Sequence, residues 1–230
     1  MTVHRLPTKP AAPAGYRMAA KGDRGEIYLY GPIGADWFGD GISAKQFADD
    51  LKKLGAVKTI DLRINSDGGS VTDGRAMYSL LVEHKAEVIV HIDGIAASAA
   101  SFIAMAGNRI EIGEGSFLMI HNARMMAYGE AEDFERAATV LRTVNETIRE
   151  TYVARTKQPA DKVKKWMDDE TWMTGKEAVA NGFADKIVEN MKVAASVADP
   201  SKFKNLPSAL HPTKVRVSAA MAEIRALTAR

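Results

Sequence analysis

The pattern of apolar and polar positions predicts alternating strands and helices over most of the chain. Short runs rich in β-branched residues alternate with longer segments whose apolar residues recur every three or four positions. Strands are predicted at 26–30, 60–64, 87–92, 116–121 and 185–188, and helices at 44–54, 73–81, 131–155, 160–169 and 175–181. Strand–helix units in this order imply right-handed crossovers. The chain is therefore predicted to be an α/β protein with a largely parallel sheet.

The longest predicted helix, 131–155, carries an apolar stripe that includes Phe134, Leu141, Ile148 and Tyr152. A helix of this length in a small domain usually buries its stripe against a partner. The pattern therefore predicts a homo-oligomer.

Both ends of the chain lack such periodicity. Residues 1–24 are rich in proline, alanine and basic residues, which is typical of a mobile arm. From residue 189 onward the chain turns rich in Ala, Ser and Lys, with a weak helix at 217–227. We therefore expect a flexible arm at 1–24, one domain at 25–190 and a flexible extension at 191–230 that binds a partner or is processed.

Composition narrows the function classes. Hydrophobic residues make up 46% of the chain, enough to build a sizeable core. The formal net charge is only +2, so nothing indicates nucleic acid or an anionic membrane as a partner. The absence of cysteine excludes disulfides and a cysteine nucleophile. No stretch is long and apolar enough to span a bilayer and no signal-peptide core is present, so a cytoplasmic location is expected. No phosphate-binding loop, metal site or organic cofactor is predicted.

Candidate chemistry begins at Ser98, where a predicted strand gives way to an apolar helix. Small residues surround it in the run 94–101, which would let a carbonyl approach the hydroxyl while helix N–H groups face the developing oxyanion. The same residues are also typical of a closely packed helix start with a serine cap. The run is not Gly-x-Ser-x-Gly, which argues against an α/β-hydrolase.

Two other strand ends add to this candidate site. The run 64–71 contains Gly68 and Gly69, which free the backbone to present N–H groups to a ligand. The strand 116–121 ends in His121, at the edge where parallel sheets bind ligands. A serine, a Gly-Gly turn and a histidine at strand ends form a catalytic constellation. His84 and His91 are expected to be structural.

The blocks 64–71, 93–99 and 118–122, in this order, resemble the Clp protease proteolytic subunit (ClpP) family. The resemblance runs from about residue 26 to residue 188. The amino-acid sequences of 40–47, 119–133 and 170–174 are similar to those of the phage and prophage branch, whose members are associated with capsid maturation. The resemblance implies a ClpP/crotonase-type ββα superhelix with a long handle helix and a handle strand near 123–128. It also implies heptameric rings, single or stacked in pairs.

The resemblance also implies site roles. Ser98 would be the nucleophile and His121 the base. Alignment on 174–179 places Glu170 as the acid that orients the histidine; Asp169 is the rival, and a solvated acidic loop end is the third interpretation. N–H groups of Gly69 and Ala99 would form the oxyanion hole. Strand addition of an extended peptide would use the substrate-binding residues Gly68, Ser70 and Val71.

The function expected from these roles is a serine endopeptidase that cuts polypeptides through an acyl-enzyme. Its setting would be either phage capsid maturation, on capsid or scaffold proteins, or Clp-type degradation with a separate AAA+ unfoldase. One alternative is a catalytically idle, oligomeric assembly protein of a phage head. A second is a crotonase-type acyl-CoA enzyme, which needs no serine nucleophile. Signal-peptide-peptidase serine proteases share the fold but use a lysine base.

Overall fold

A mixed sheet of eight strands forms the centre of the described part of the molecule. This computed structural model describes residues 15–34, 41–189, 197 and 199–211. The strands β2, β3, β4, β5 and β8 run parallel to one another, and β1 pairs antiparallel with β2. This arrangement confirms the predicted α/β class with a largely parallel sheet. The strands are β1 (Tyr16–Lys21), β2 (Arg24–Tyr30), β3 (Thr59–Ser66), β4 (Glu87–Ala97), β5 (Arg109–Gly113), β6 (Phe117–Ile120), β7 (Thr171–Thr174) and β8 (Lys186–Val188).

Strand β4 is the point at which the sheet divides. Residues 89–92 of β4 pair with β5, whereas residues 95–97 pair with β6. Strand β6 in turn pairs antiparallel with β7, so β6 and β7 form a branch beside the main sheet. The chain leaves β4 at the point where the branch begins, and the next residue is Ser98.

Six α-helices pack on the sheet within the described ranges. In α1, Phe47, Leu51 and Leu54 are buried and the Ser43 hydroxyl accepts a hydrogen bond from the N–H of Gln46, as the apolar spacing and the cap predict. Of the helices that the structure describes, none is long and apolar enough to cross a membrane. The helices are α1 (Ala44–Leu54), α2 (Val71–Val82), α3 (Ala99–Ala104), α4 (Ala131–Thr156), α5 (Ala160–Asp168) and α6 (Gly175–Ala180).

Helix α4 is in contact with the domain mainly through its C-terminal half. Its buried residues are Ile148, Thr151, Tyr152 and Thr156, all in the last three turns. Phe134 and Val140, in the first half, are 52% and 53% exposed. The apolar stripe that predicts a partner is therefore open along the N-terminal half of the helix.

Strand β1 lies in the stretch that composition assigns to a mobile arm. Tyr16 pairs with Leu29 and Lys21 pairs with Arg24 across a turn at Gly22 and Asp23. Only Tyr16 of the strand is buried, so β1 has no apolar alternation to reveal it. Its stabilisation comes from backbone pairing along the edge of β2. Residues 1–14 of the predicted arm, and Asp40 of the block 40–47, lie outside the described residues.

The segment expected to form the handle strand, residues 123–128, is not paired in the single described chain. Residues 124–130 are exposed. A strand requires a neighbour for its N–H and C=O groups, and none of the described strands runs beside this segment. The handle strand, which the resemblance assigns to the contact between rings, therefore stays a prediction.

Residues 199–211, hereafter the C-terminal segment, pack on the β6–β7 branch although composition predicts a flexible extension. The segment contains two short 3-10 turns, Pro200–Lys202 and Ser208–Leu210. The Phe203 ring lies 5.2 Å from the Trp172 ring, edge to face. The predicted helix at 217–227 lies outside the described residues. The apolar cluster beneath the segment comprises Ile95, Ala97, Met119, Val197 and Leu210, with Phe117, Trp172, Phe203 and Leu206 at its edge.

Candidate active site

Ser98 occupies the junction between β4 and α3 in a strained backbone conformation. Its φ is 54° and its ψ is −124°. Such angles cost a non-glycine residue about 1–3 kcal/mol and persist only where the surroundings impose them. The Ser98 N–H donates to the carbonyl of Met119 at 3.0 Å, and the Ser98 carbonyl accepts from the N–H and the hydroxyl of Ser101. These bonds fix the turn that presents the serine side chain.

The small residues around Ser98 allow the loop before α2 to approach it closely. A Cβ atom at Gly68 would lie 2.5 Å from the Ala97 carbonyl oxygen and 2.7 Å from Ser98 Cβ. Since Gly68 also has φ +91°, a larger residue is excluded both by space and by conformation. Close packing and an accessible serine therefore depend on the same residue.

His121 follows β6 and makes the central contact of the site. Its Nε2 lies 2.8 Å from Ser98 Oγ, which is hydrogen-bond distance. Burial lowers the pKa of His121 to about 4, and the positive charges of Arg124 and Lys204 act in the same direction, against the opposing effect of Glu170. The imidazole is therefore neutral at pH 7, and its Nε2 can accept the serine proton.

Glu170 lies immediately before β7 and points into the site. It has φ 50°, so two of the three described non-glycine residues with positive φ, Ser98 and Glu170, belong to this site. Its side chain is 3% exposed, and its Oε2 is 3.9 Å from His121 Nδ1. That distance is too long for a hydrogen bond. The structure brings the acid beside the histidine without joining the two.

Other donors occupy the Glu170 carboxylate. Arg124 Nη2 donates to Oε2 at 2.5 Å. The backbone N–H groups of Lys204 and Asn205 donate to Oε1 at 2.6 Å and 2.9 Å. His121 Nδ1, by contrast, is buried and has no hydrogen-bond partner among the residues that the structure describes. The Glu170 carboxylate therefore has hydrogen-bond partners, whereas His121 Nδ1, the atom that it would orient, has none among the described residues.

The rival acid, Asp169, points away from the histidine. Its side chain is 53% exposed and forms an ion pair with Lys165 at 2.6 Å. Asp169 therefore matches the solvated acidic loop end that the sequence leaves open, whereas Glu170 is the carboxylate that faces His121.

Of the two residues predicted to supply N–H groups to an oxyanion hole, Gly69 lines the same cavity as Ser98 and Ala99 follows Ser98 in the chain. Ile33 bonds to the carbonyl of Gly68 and to the N–H of Ser70, both at 2.8 Å, and these bonds flank Gly69. The N–H of Gly69 is therefore directed to the side away from Ile33. Ala99 begins α3, where an N–H has no intrahelical acceptor, and its nitrogen lies 2.9 Å from the Cβ position of Gly68.

The predicted peptide-binding edge is largely occupied by the chain itself. The pairing groups of Gly68 and Ser70 are bonded to Ile33, and the Ser70 hydroxyl caps α2. Val71 is already the first residue of α2. Strand addition across the whole of 68–71 therefore requires groups of Gly68 and Ser70 that are already paired, whereas the backbone of Gly69 is on the side away from Ile33.

A cavity opens over the Ser98–His121 pair, and three of its residues have no sequence signal for a site. Arg124, Lys202 and Phe203 border it, although the sequence places Arg124 in the expected handle strand and the other two in a flexible extension. The lining residues are Asp67, Gly69, Val71, Ser98, His121, Ala123, Arg124, Lys202 and Phe203.

A buried pair of hydroxyl groups ties the Ser98 turn to α4. Ser101 has one hydroxyl proton, which it donates to the Ser98 carbonyl at 2.7 Å. The Tyr152 hydroxyl, 2.7 Å from Ser101 Oγ, must therefore be the donor in that contact. The sequence identifies Tyr152 only as part of an apolar stripe, because its hydroxyl partner is distant in the chain.

His91 stands apart from this site, as expected. Its Nε2 lies 3.1 Å from Asp61 Oδ1 and its Nδ1 lies 3.4 Å from Glu111 Oε2. These partners come from the neighbouring strands β3 and β5, so the histidine forms part of a charged row across the sheet.

The chain matches the sequence model of a known protein family. The model, described as Clp protease, matches residues 25–191, which include Ser98, His121 and Glu170. The matched range begins within β2 and contains β3 to β8 and the six described helices. Members of this family form oligomeric rings and act on polypeptides, and membership suggests serine-type peptidase activity. The chain belongs to the Clp protease family.

Proposed function

We propose that the chain is a serine endopeptidase in which Ser98 is the nucleophile and His121 is the general base. The Ser98 hydroxyl gives its proton to His121 Nε2 as Oγ attacks the peptide carbonyl. The N–H groups of Gly69 and Ala99 stabilise the oxyanion. His121 then protonates the leaving amine, and water hydrolyses the acyl-enzyme by the same steps in reverse.

The observation that carries this proposal is the 2.8 Å contact between His121 Nε2 and the strained Ser98. A neutral imidazole within hydrogen-bond distance of a serine hydroxyl has the geometry that general-base catalysis requires. Backbone strain of this kind concentrates at functional sites. A serine that merely caps a helix would bond to the helix N–H groups, and Ser98 makes no such side-chain bond.

Glu170 is the third member of the proposed triad. A carboxylate on Nδ1 would hold the imidazole in the correct tautomer and stabilise its charged form during the reaction. Glu170 is the buried carboxylate beside Nδ1, although 3.9 Å separates the two atoms.

The proposed substrate is a capsid or scaffold protein of a phage head, cut in the cytoplasm by a ring of seven copies or a stacked pair of such rings. The amino-acid sequences of the blocks 119–133 and 170–174 support an assignment to the phage branch of the family. The test is cleavage of unfolded casein with and without an AAA+ unfoldase and ATP. Stimulation by the unfoldase would argue instead for Clp-type degradation.

Intact-mass spectrometry after treatment with a fluorophosphonate tests the nucleophile. Ser98 Oγ displaces fluoride from phosphorus, so one adduct is expected on the wild-type chain and none on Ser98→Ala. Ser116→Ala is a matched control, because Ser116 is also a buried serine and its hydroxyl has no hydrogen-bond partner among the described residues. It should still be labelled.

A catalytically idle assembly protein is the second candidate, and the unpartnered Nδ1 of His121 favours it. It predicts a well-folded oligomer that takes up no fluorophosphonate at any concentration. An adduct that persists in Ser98→Ala would also contradict the peptidase proposal, because the reactive residue would lie elsewhere.

A further inference from the structure

The C-terminal segment is held on the domain by two kinds of contact. Leu210, near the end of the segment, and Val197, just before the segment, are each 1% exposed. Both pack on Ile95, Ala97 and Met119. The polar contacts of the segment converge on the candidate site: the Lys202 carbonyl accepts from Arg124 Nη1, and Asn205 Nδ2 donates to the Asp169 carbonyl at 2.7 Å. Val197 and Leu210, hereafter the apolar anchor, hold the segment on the β6–β7 branch. The polar contacts lie beside Glu170, the acid of the proposed triad.

The segment also bonds to the acid itself. Two consecutive backbone N–H groups, of Lys204 and Asn205, bind Glu170 Oε1, while Arg124 binds Oε2. Hydrogen bonds to a carboxylate stabilise its charged form and fix its orientation. Here they fix it with 3.9 Å between Oε2 and His121 Nδ1.

The buried His121 Nδ1 shows the cost of this arrangement. A buried polar atom without a hydrogen-bond partner is destabilising, and Nδ1 is one of the few such atoms among the described side chains. The partner that would relieve it, Glu170, is the nearest carboxylate. Loss of the segment would remove two of the donors that compete for it.

We propose that the C-terminal segment is an autoinhibitory clasp, which engages Glu170 through the N–H groups of Lys204 and Asn205 and so withholds it from His121. Departure of the segment lets the carboxylate close on Nδ1, completes the triad and uncovers the side of the cavity bordered by Lys202 and Phe203. This inference rests on the proposed peptidase function.

Two full-length variants release the clasp in different ways. Leu210→Asp places a charge in the buried anchor and should lift the segment from the branch. Lys204→Pro removes one N–H that binds Glu170; Phe203 has φ −123° and ψ 140°, which suits a residue before proline. Lys204→Ala is the matched control, because it removes the same exposed side chain and keeps the N–H.

The first measurement is the rate of fluorophosphonate labelling of Ser98 at pH 7. Leu210→Asp and Lys204→Pro should react at least about tenfold faster than the wild type, because completion of the triad strengthens the base. Lys204→Ala should stay within about twofold of the wild type. Adding Glu170→Gln to Leu210→Asp should abolish the gain. Equal rates in the wild type and both release variants would overturn the clasp.

The second measurement separates the clasp from the proposed function. Histidine NMR, with the His121 signal assigned by His121→Gln, should show the pKa of His121 higher by about one unit or more in Leu210→Asp than in the wild type, because the carboxylate approaches Nδ1. Lys204→Pro is compared with Lys204→Ala, which lacks the same Lys204 charge, and should show the same difference. A higher pKa with no labelling of any variant supports the clasp and overturns Ser98 as nucleophile. A pKa in Lys204→Pro, the variant that leaves the apolar anchor intact, that is unchanged from Lys204→Ala overturns the clasp even where Leu210→Asp fails to fold.

Discussion

At the residue scale, the buried imidazole of His121 makes stability depend on pH. Its pKa is about 4 in the folded chain, compared with 6.5 for a histidine exposed to water, as in the unfolded chain. Between these values the unfolded state binds a proton that the folded state does not, so the free energy of unfolding falls as the pH drops through this window. The expected loss attributable to His121 is up to about 3 kcal/mol.

Urea denaturation at pH 7 and at pH 4.5 measures this effect. The wild type should lose about 2–3 kcal/mol more than His121→Gln between the two pH values, since other titrating groups are common to both chains. Parallel losses in the two chains would show that His121 does not titrate differently on folding.

The three residues of the proposed triad could be predicted from the sequence to different degrees. Ser98 and His121 carry local signals, because small residues and strand ends mark them. Glu170 follows from the resemblance alone, since its neighbour Asp169 has the same chemistry. What distinguishes the two acids is burial, and that depends on the turn before β7 and on chain segments more than thirty residues away.

At the element scale, the contact between α3 and α4 predicts unequal effects for two conservative substitutions. Ser101→Ala leaves the buried Tyr152 hydroxyl without an acceptor and removes a donor from the Ser98 carbonyl. It should lower the free energy of unfolding by about 1–3 kcal/mol. Tyr152→Phe leaves the bond from Ser101 to Ser98 intact and should cost about 1 kcal/mol.

Chemical denaturation of the two single variants and the double variant measures these costs. The double variant should be less destabilised than the sum of the single ones, because the hydroxyls act as a pair. A larger cost for Tyr152→Phe than for Ser101→Ala would reverse the assigned donor and acceptor.

The elements that the sequence leaves unpredicted are short. Strands β5 and β7 have five and four residues and are not predicted, whereas β6, also with four, lies in the apolar run 116–121. Strand β1 has only one buried side chain, although Gly22 and Asp23 between two extended runs are typical of a hairpin turn. Helices α1 and α4, with several turns of apolar spacing, were predictable to within one or two residues.

At the scale of the whole molecule, most of the large exposed apolar residues of the described chain belong to the stretch 125–140. Met126 and Tyr128 are fully or almost fully exposed, and Phe134 and Val140 follow on the free half of α4. Since members of the family form oligomeric rings, we expect this stretch to be covered by other copies of the chain.

The double variant Phe134→Glu, Val140→Glu should therefore lower the molar mass of the assembly. Light scattering after size-exclusion chromatography measures it. Val82→Glu is the matched control, because Val82 is 55% exposed at the end of α2, outside this stretch, and should leave the mass unchanged. An undiminished mass for the double variant would place the main contacts between copies elsewhere.

The fold class was predictable because strand and helix periods alternate along the chain. The C-terminal segment was not, since its few apolar residues are spaced irregularly among prolines and lysines. Its position depends on an apolar surface built by β4, β6 and β7 together. No local pattern within 199–211 reveals that surface.

The division of the sheet at β4 has a mechanical consequence. His121 and Glu170 flank the paired residues Ile120 and Thr171 at one end of the branch, so the strand register sets their spacing. Ser98 directly follows β4, which is part of both the branch and the main sheet. The Ser98 N–H is also bonded to the Met119 carbonyl of β6, so the branch holds Ser98, His121 and Glu170 in one register. A one-residue slip of β7 against β6 would therefore turn Glu170 away from His121 and leave the contact between Ser98 and His121 in place.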